Sequence, residues 1–248
     1  GDWVKSREKD RRVVVVTGTS RGIGLAIVRK LASEGYDIAA CSRSRSEELD
    51  AVMKAYSGVR FFVFDLGDAE SVKSCAQNIF RQYARIDALV NAAGIAAGGL
   101  YSMTRIEDMK HVFDINYFHQ ILFIQYISKK MIRMQAGAIV NIGSVAGLRA
   151  DAGTLSYGGS KAAFIHATGV LATELGRFDI RVNAIAPAVV DTDMGAEMDE
   201  QAKIRLDTSS ALCGKVEASD VADLASFLIS DSASKMTGQV LRLDRGLH

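Results

Sequence analysis

Three residues with complementary chemistry occur in the second half of the sequence: Ser144, Tyr157 and Lys161. Tyr157 and Lys161 are four residues apart, which places them on one face of a helix. A free tyrosine has a pKa of about 10, and a neighbouring ammonium group lowers that pKa because it favours the phenolate. The pair therefore predicts a general acid or base. A serine hydroxyl nearby can hydrogen-bond a substrate oxygen on which charge develops.

A glycine-rich segment, residues 17–24 (TGTSRGIG), indicates where a phosphate would bind. It lies between a predicted strand and a predicted helix, whose first N–H groups and positive dipole end attract anions. Its spacing, Gly-x-x-x-Gly-x-Gly, differs from the commoner Gly-x-Gly-x-x-Gly, and alone it also fits a structural turn. The predicted cofactor contacts in this segment are Gly18, Ser20, Arg21, Gly22, Ile23 and Gly24.

The end of the second predicted strand indicates which dinucleotide binds. An acidic residue there would hydrogen-bond the free ribose hydroxyl of NAD. This sequence instead has Cys41, Ser42 and Arg43, with no carboxylate. We predict Ser42 and Arg43 as cofactor contacts. Arg43, with help from Arg21, would bind the 2′-phosphate, because a guanidinium forms two hydrogen bonds to a phosphate. The predicted cofactor is therefore NADPH, with NADH second, although each arginine alone also fits a solvated surface charge.

Two further strand ends supply other predicted cofactor contacts. Asp65 and Leu66 follow the third predicted strand, and Asp65 either holds the adenine amino group or caps the next helix. Asn91, Ala92 and Gly94 follow the fourth strand in the run Asn-Ala-Ala-Gly. Small residues there would let the backbone lie against the cofactor, and a simple loop is the alternative.

Strands and helices alternate along the chain and place these residues at strand ends. The alternation predicts an α/β protein, a single Rossmann-fold domain over residues 12–248 with a doubly wound parallel sheet. Ligands bind at the carboxyl ends of the strands in such a sheet. Predicted strands cover residues 12–17, 37–41, 60–64, 88–91, 138–142, 181–185 and 240–243, and predicted helices cover 22–34, 69–83, 106–134, 157–176 and 219–230.

Composition argues against several other classes of protein. The chain has 248 residues, of which 48% are hydrophobic, so it can bury a sizeable core. Its 30 basic and 29 acidic residues give a net charge of only +1, too small to predict binding to nucleic acid or an anionic membrane. The sequence has no apolar run of membrane-spanning length, and its 3 cysteines are too few for a disulfide framework or metal site. We predict no metal and a cytoplasmic protein, with residues 1–11 disordered or expression-derived.

Taken together, these motifs resemble the short-chain dehydrogenase/reductase family. The resemblance runs from about residue 12 to the end of the chain. It rests on TGTSRGIG (17–24), NAAG (91–94), Asn116, Ser144, YGGSK (157–161) and PAVVDT (187–192).

The resemblance implies a role for each matching residue. Tyr157 would exchange a proton with the substrate, and Ser144 would orient the carbonyl group. Lys161 would bind the nicotinamide ribose and lower the pKa of the tyrosine. Asn116, in a break of the long helix, would anchor a water that relays protons through Lys161. The nicotinamide would lie near Pro187, Val190 and Thr192.

Within the family, the sequence looks most like the 3-oxoacyl-acyl-carrier-protein reductases, on residues 141–147, 191–194 and 237–246. The resemblance also implies a homotetramer, paired through the two long helices and the last strand. Three departures from the family pattern stand out. Ala188 replaces a glycine, Asp244-Arg245 replaces Asn-Gly, and Gly158-Gly159 replaces small alanines at a cost of up to about 1 kcal/mol each.

Three functions are compatible with these residues. The first is NADPH-dependent reduction of a 3-oxoacyl group on acyl-carrier protein, with Tyr157 donating the proton. The second is oxidoreduction of another small-molecule ketone, sugar or steroid. The third, a non-catalytic dinucleotide-binding scaffold or sensor, is disfavoured because Ser144, Tyr157 and Lys161 are all present. Residues 193–212 are predicted to form a lid over the substrate.

Overall fold

The computed structural model of the protein describes residues 11–190 and 209–247. In these residues seven strands form one parallel sheet in the order β3-β2-β1-β4-β5-β6-β7. This confirms the predicted doubly wound α/β fold. The strands are β1 (Val13–Thr17), β2 (Asp37–Ser42), β3 (Val59–Val63), β4 (Ala88–Asn91), β5 (Gly137–Ile142), β6 (Ile180–Pro187) and β7 (Val240–Leu243).

Helices cover both faces of the sheet, which explains why the central strands are continuously apolar. Val14 and Val16 of β1 belong to one buried core, and Val13 and Val15 belong to the other. The first core lies under α1, α2 and α7, and the second under α3, α5 and α6. The described helices are α1 (Gly22–Ser33), α2 (Glu47–Ala55), α3 (Ala69–Gln82), α4 (Ile106–Phe113), α5 (His119–Met134), α6 (Leu155–Leu175) and α7 (Ala218–Ile229).

The sequence pattern does not predict α2, because this helix buries only Leu49 and Val52. Two buried apolar positions over nine residues give a weak helical signal. The helix is nevertheless well capped, since the Ser46 side chain accepts a hydrogen bond from Leu49 N and acidic residues fill its first turn.

The predicted helix over residues 106–134 is interrupted. A π-helical segment, Asp114–Phe118, separates α4 from α5 and contains Asn116. Such segments are rare and frequently lie at functional sites. The break that the resemblance implies at Asn116 is therefore present.

The chain changes direction across the sheet between β1 and β4, because β2 and β3 lie on one side of β1 and the later strands on the other. A crevice forms at such a switch point, outside the carboxyl ends of the strands. The predicted site residues that the structure describes lie near this edge. Among the described residues, no helix is both long and apolar enough to cross a membrane.

Candidate active site

The glycine-rich segment forms a tight turn from β1 into α1. Gly18 has a φ of 74°, in the left-handed region, and a Cβ on it would lie 2.8 Å from Ala93 Cα. A Cβ on Gly24 would overlap the carbonyl oxygen of Gly18. Both positions therefore require glycine, and the turn packs directly against the backbone that follows β4.

The start of α1 fits the pyrophosphate of a dinucleotide. Arg21 is the N-cap residue, but its side chain does not cap the helix, and no acidic residue lies in the first turn. The first N–H groups and the positive end of the helix dipole are therefore not neutralised by side chains of this turn. Ser20, Gly22 and Ile23, predicted as contacts, are half-buried around it.

Ser42 and Arg43 have different environments at the end of β2. Ser42 is buried; its hydroxyl donates to Ser44 O (3.0 Å) and accepts from Thr19 Oγ1 (3.3 Å). This hydroxyl therefore holds the shape of the strand end, while the neighbouring Arg43 side chain is exposed. No carboxylate precedes Arg43 at the end of the strand.

Asp65 does not cap the helix that follows it. Its Oδ1 accepts a hydrogen bond from Gly67 N (2.8 Å), whereas Asp68 is the N-cap residue of α3 and accepts from Glu70 N (3.0 Å). The capping alternative was wrong because the helix begins three residues later than that alternative requires. The carbonyl oxygen of the buried Leu66 accepts a hydrogen bond from Nδ1 of His119, at the start of α5.

Asn91 is fully buried, and its side chain links two neighbouring strands of the sheet. Its Nδ2 donates to Oδ1 of Asn141, the residue opposite on β5 (2.9 Å), and Asn141 Nδ2 donates to Thr168 Oγ1 in α6 (3.0 Å). The network joins β4, β5 and α6. In the next peptides, the N–H groups of Ala92 and Ala93 each donate to Thr17 Oγ1 (3.1 Å).

The side chain of Asn116 holds the loop that leaves β4. Its Oδ1 accepts from Ile95 N (2.9 Å), and its Nδ2 donates to Ile95 O (2.9 Å) and to Ser160 Oγ (3.1 Å). Gly94 lies between this amide and the lysine: a Cβ there would be 3.1 Å from Asn116 Oδ1 and 3.5 Å from Lys161 Nζ. Asn116 therefore links α6 to the predicted cofactor loop.

Ser144, Tyr157 and Lys161 come together at the ends of β5 and α6. The Ser144 side chain lies close enough to the Tyr157 hydroxyl to lower the pKa of that phenol, and Ser144 Oγ also accepts from Ala146 N (3.1 Å). Lys161 is buried; its Nζ donates to Ile142 O (2.9 Å) and lies 5.9 Å from the centre of the Tyr157 ring. The predicted arrangement on one helix face is therefore present.

Burial dominates the electrostatics of this group. Burial raises the pKa of Tyr157, and the hydrogen bond to Ser144 lowers it by less. Burial also lowers the pKa of Lys161 to about 8. The chain's own residues therefore do not give the lowered tyrosine pKa that the sequence predicts. The phenol stays protonated at neutral pH, beside an ammonium group that is still largely charged.

Two glycines bring α6 into backbone contact with the short turn Val145–Gly147. A Cβ on Gly158 would lie 2.6 Å from Ala146 O, and a Cβ on Gly147 would lie 2.7 Å from Ala162 N. By contrast, a Cβ on Gly159 would lie 3.5 Å from Phe113 Cζ, an ordinary contact. Close packing therefore explains the glycine at position 158, which the sequence does not reveal. Gly159 lowers helix stability, and no close contact requires a glycine there.

We expect Gly158→Ala and Gly159→Ala to act in opposite directions. Gly158→Ala should lower the free energy of unfolding by about 1–3 kcal/mol and reduce activity, because the added methyl group meets the Ala146 carbonyl. Gly159→Ala should raise the free energy of unfolding by about 0.5–1 kcal/mol and leave activity unchanged. Urea unfolding and steady-state assays of both variants test this, and equal effects would contradict it.

Pro187 and Val190 are buried beyond the catalytic group, at and after the end of β6. Val190 forms an isolated parallel bridge with Val216. Ala188 does not have a positive φ, and its N–H donates to Leu243 O (3.0 Å), so this position does not need glycine. Thr192 and most of the predicted lid, residues 193–212, lie outside the described residues.

Arg245 occupies a left-handed position at the C-terminal turn, with a φ of 59°. Its guanidinium donates to the carbonyl oxygens of Leu212 (3.2 Å) and Gly214, and its own carbonyl accepts from Leu212 N (3.0 Å). The departure from the family pattern therefore ties the last turn to the segment that leads to Val216.

Comparison with known proteins agrees with this geometry. A family model described as enoyl-(acyl carrier protein) reductase matches residues 18–248. The chain belongs to the short-chain dehydrogenase/reductase family. As a member of this family it is an NAD(P)-dependent enzyme, so the non-catalytic scaffold hypothesis was wrong.

Its relatives in this family include several reductases. The chain is 33% identical to the 3-oxoacyl-[acyl-carrier-protein] reductase FabG of Staphylococcus aureus (strain Mu50 / ATCC 700699), over 97% of this chain and 99% of the relative. It is 34% identical to the same-named protein of Thermotoga maritima, over 95% and 97%. A crystal structure of levodione reductase matches with a TM-score of 0.88 and 29% identity, over 95% and 96%.

Sequence reasoning missed four residues that build the site: Thr17, His119, Gln120 and Ser160. Each acts on the backbone or an amide of a predicted contact or of a residue next to one, as Gln120 does when its Nε2 donates to O of Ala93, which lies between Ala92 and Gly94 (2.6 Å). Thr17 ends an apolar strand, which is its one sequence signal. The others lie on helices, where only the fold shows which loops they reach.

Proposed function

We propose that the protein is an NADPH-dependent reductase that converts the carbonyl group of a 3-oxoacyl chain on acyl-carrier protein to a hydroxyl group. The observation that carries the reaction type is the grouping of Ser144 and Tyr157 with the buried Lys161, whose Nζ lies 5.9 Å from the centre of the Tyr157 ring. The substrate follows from relatives named 3-oxoacyl-[acyl-carrier-protein] reductase that match nearly the whole chain.

Ser144 and Tyr157 act together on the substrate oxygen. Both hydroxyls can donate a hydrogen bond to a carbonyl oxygen and so stabilise the negative charge that develops there. The bound cofactor supplies the hydride. Tyr157 then gives its proton to the oxygen. Because burial raises the pKa of Tyr157, the phenol carries its proton at neutral pH, which favours donation and hence reduction.

Lys161 supports the proton donor. With a pKa of about 8, its ammonium group is mostly charged at pH 7, and a hydrogen bond to Ile142 O holds Nζ 5.9 Å from the centre of the Tyr157 ring. It would hold the ribose of the nicotinamide and favour the phenolate that remains after proton transfer. Asn116 keeps the neighbouring loop in place, and we retain as a proposal that it also anchors a proton-relaying water.

The NADPH preference is supported by the end of β2. Arg43 is exposed there, and the buried Ser42 hydroxyl fixes the backbone from which it extends. The start of α1 would hold the pyrophosphate, and Arg43 would form charge-assisted hydrogen bonds to the 2′-phosphate. NADH lacks this phosphate and would bind less tightly.

Arg43→Ala should raise the KM for NADPH about 10- to 100-fold and leave the KM for NADH nearly unchanged, because a charge-assisted hydrogen bond contributes about 1.5–3 kcal/mol. Arg45→Ala is the matched control. It removes the same charge two residues away, where Arg45 already pairs with Asp50 (3.3 Å). Equal loss with both cofactors would argue against a contact between Arg43 and the 2′-phosphate.

A substrate panel with both cofactors tests the proposed function. Acetoacetyl and longer 3-oxoacyl thioesters, on acyl-carrier protein and on a short thiol, are compared with simple cyclic ketones and an enoyl thioester. We expect the highest kcat/KM with NADPH and a carrier-bound 3-oxoacyl group. A clear preference for cyclic ketones would favour the second candidate, another carbonyl reductase, which the levodione reductase structure supports. Preference for the enoyl thioester would contradict both.

We also propose a cytoplasmic homotetramer. The apolar side chains Phe118, beside α5, and Val170, on α6, are 56% and 44% exposed in the single chain. Exposed apolar side chains on neighbouring long helices are compatible with a subunit contact. Light scattering at several protein concentrations measures the oligomeric state directly.

A further inference from the structure

Gln120 is a fully buried amide in the first turn of α5, next to the π-helical segment. Its Nε2 donates a short hydrogen bond to Ala93 O (2.6 Å). Its Oε1 is buried as well and has no hydrogen-bond partner among the described residues. The side chain therefore uses its donor and leaves its acceptor unpaired.

The Ala93 peptide transmits this contact to the glycine-rich turn. The Ala93 N–H donates to Thr17 Oγ1 (3.1 Å), so Ala93 is held through both its N–H and its carbonyl oxygen. Ala93 also packs on Gly18 so closely that a Cβ on that glycine would lie 2.8 Å from Ala93 Cα. A displacement of Ala93 therefore moves the turn that precedes the start of α1.

Stability alone does not account for a glutamine at this position. A buried acceptor without a partner is unfavourable, and an apolar side chain of similar length would avoid it. Unsatisfied polar groups in natural proteins concentrate where function requires them. Glutamine at this position provides a donor, Nε2, which holds the carbonyl oxygen of Ala93 at the cofactor edge of the sheet.

We propose that Gln120 is a positioning residue for the nicotinamide cofactor, acting through the Ala93 carbonyl on the glycine-rich turn. This proposal rests on the proposed function insofar as NADPH is the cofactor. Its neighbour His119 holds Leu66 O in the adjacent loop, so two consecutive residues of α5 fix two of the loops predicted to contact the cofactor.

Gln120→Met keeps the volume of the side chain and removes the donor. We expect the KM and Kd for NADPH to rise about tenfold, the net effect of one lost hydrogen bond, with kcat within twofold of wild type and the Tm not lowered. The matched control is Asn183→Leu. Asn183 is an equally buried amide whose two hydrogen bonds, to Met236 O (2.8 Å) and from Gln239 N (3.0 Å), lie in a different part of the fold. This control should lower the Tm and leave the KM for NADPH unchanged.

Gln120→Glu adds a second measurement, the pH dependence of the KM for NADPH, which should not change if Gln120 has only a structural role. A protonated carboxyl group can donate to Ala93 O, but an ionised one repels it. Burial raises the pKa of a carboxyl group. The KM for NADPH of this variant should therefore fall at least threefold between pH 8 and pH 6. Over the same range, the fold change in the KM of wild type should be less than half of that of the variant.

These measurements separate the inference from the proposed function. If wild type binds and uses NADPH but Gln120→Met leaves its KM unchanged, the positioning role is overturned and the proposed function stands. A KM for NADPH that Asn183→Leu raises as much as Gln120→Met does would also overturn the role, since general destabilisation would then explain both increases. If wild type does not use NADPH, the proposed function fails first, and NADH titration of the same variants tests the positioning role.

Discussion

Tyr157→Phe should lower the kcat for carbonyl reduction about 10²- to 10⁴-fold, because it removes the proton donor and leaves the ring in place. The Kd for NADPH should stay within about twofold of wild type, since the pairs that build the cofactor edge, such as Thr17 with Ala93, are untouched. Stopped-flow or steady-state oxidation of NADPH with a 3-oxoacyl thioester measures the first quantity, and cofactor fluorescence measures the second.

Tyr126→Phe provides the control for this experiment. Tyr126 is on α5, with Lys129 Nζ 5.4 Å from its ring centre, and it has no place in the proposed mechanism. Loss of its hydroxyl should leave kcat unchanged. Retention of more than half the wild-type kcat in Tyr157→Phe would mean that another group delivers the proton.

Lys161→Met should lower kcat about 10²- to 10³-fold, the usual effect of removing one charged donor from a preorganised site. In wild type, kcat should also fall as the pH rises through about 8, because the ammonium group of Lys161 loses its proton there. Tyr157 does not produce this decline, since its pKa is raised. The residual activity of Lys161→Met should lack the decline near pH 8, and a decline that persists would assign it to another group.

The same burial predicts a stability difference with a definite sign. The pKa of Lys161 is about 8 in the folded protein and 10.5 for a free lysine. Between these values the unfolded chain binds more protons, so the free energy of unfolding rises with pH, by at most about 3 kcal/mol. The rise is absent from Lys161→Met. Urea unfolding of both proteins at pH 7 and pH 10 isolates it, because other titrating groups are shared.

The sequence predicts the fold well because hydrophobic periodicity is strong in buried elements. The seven strands and most helices match the prediction to within two residues at their ends, and the predicted helix over residues 106–134 differs by its π-helical interruption. The other exception is α2, whose stability depends on Ser46 and on two buried side chains rather than on a long apolar face. The position of Asp65 shows a related limit: two aspartates three residues apart both fit a helix cap, and only the backbone path selects Asp68.

The grouping of Ser144, Tyr157 and Lys161 was predictable because chemistry restricts their types and the helix restricts the spacing of Tyr157 and Lys161. Their electrostatics were not. The pKa of Tyr157 depends on how deeply the phenol is buried, which no spacing reveals. Ser42 shows the same limit, because a serine at a strand end fits a ligand contact equally well until its partners Thr19 and Ser44 are known.

The backbone contact between α6 and the Val145–Gly147 turn has a consequence for redesign. Gly158 and Gly147 join the two elements without any side chain between them, so the spacing of Ser144 and Tyr157 does not depend on how neighbouring side chains pack. We therefore expect changes in residues 96–104 and 148–153, two neighbouring loops joined by a hydrogen bond from Gly99 N to Gly153 O (3.0 Å), to leave this spacing unchanged. Libraries that randomise those loops should yield enzymes with new ketone preferences and an unchanged pH dependence, which makes the scaffold a suitable starting point for directed evolution.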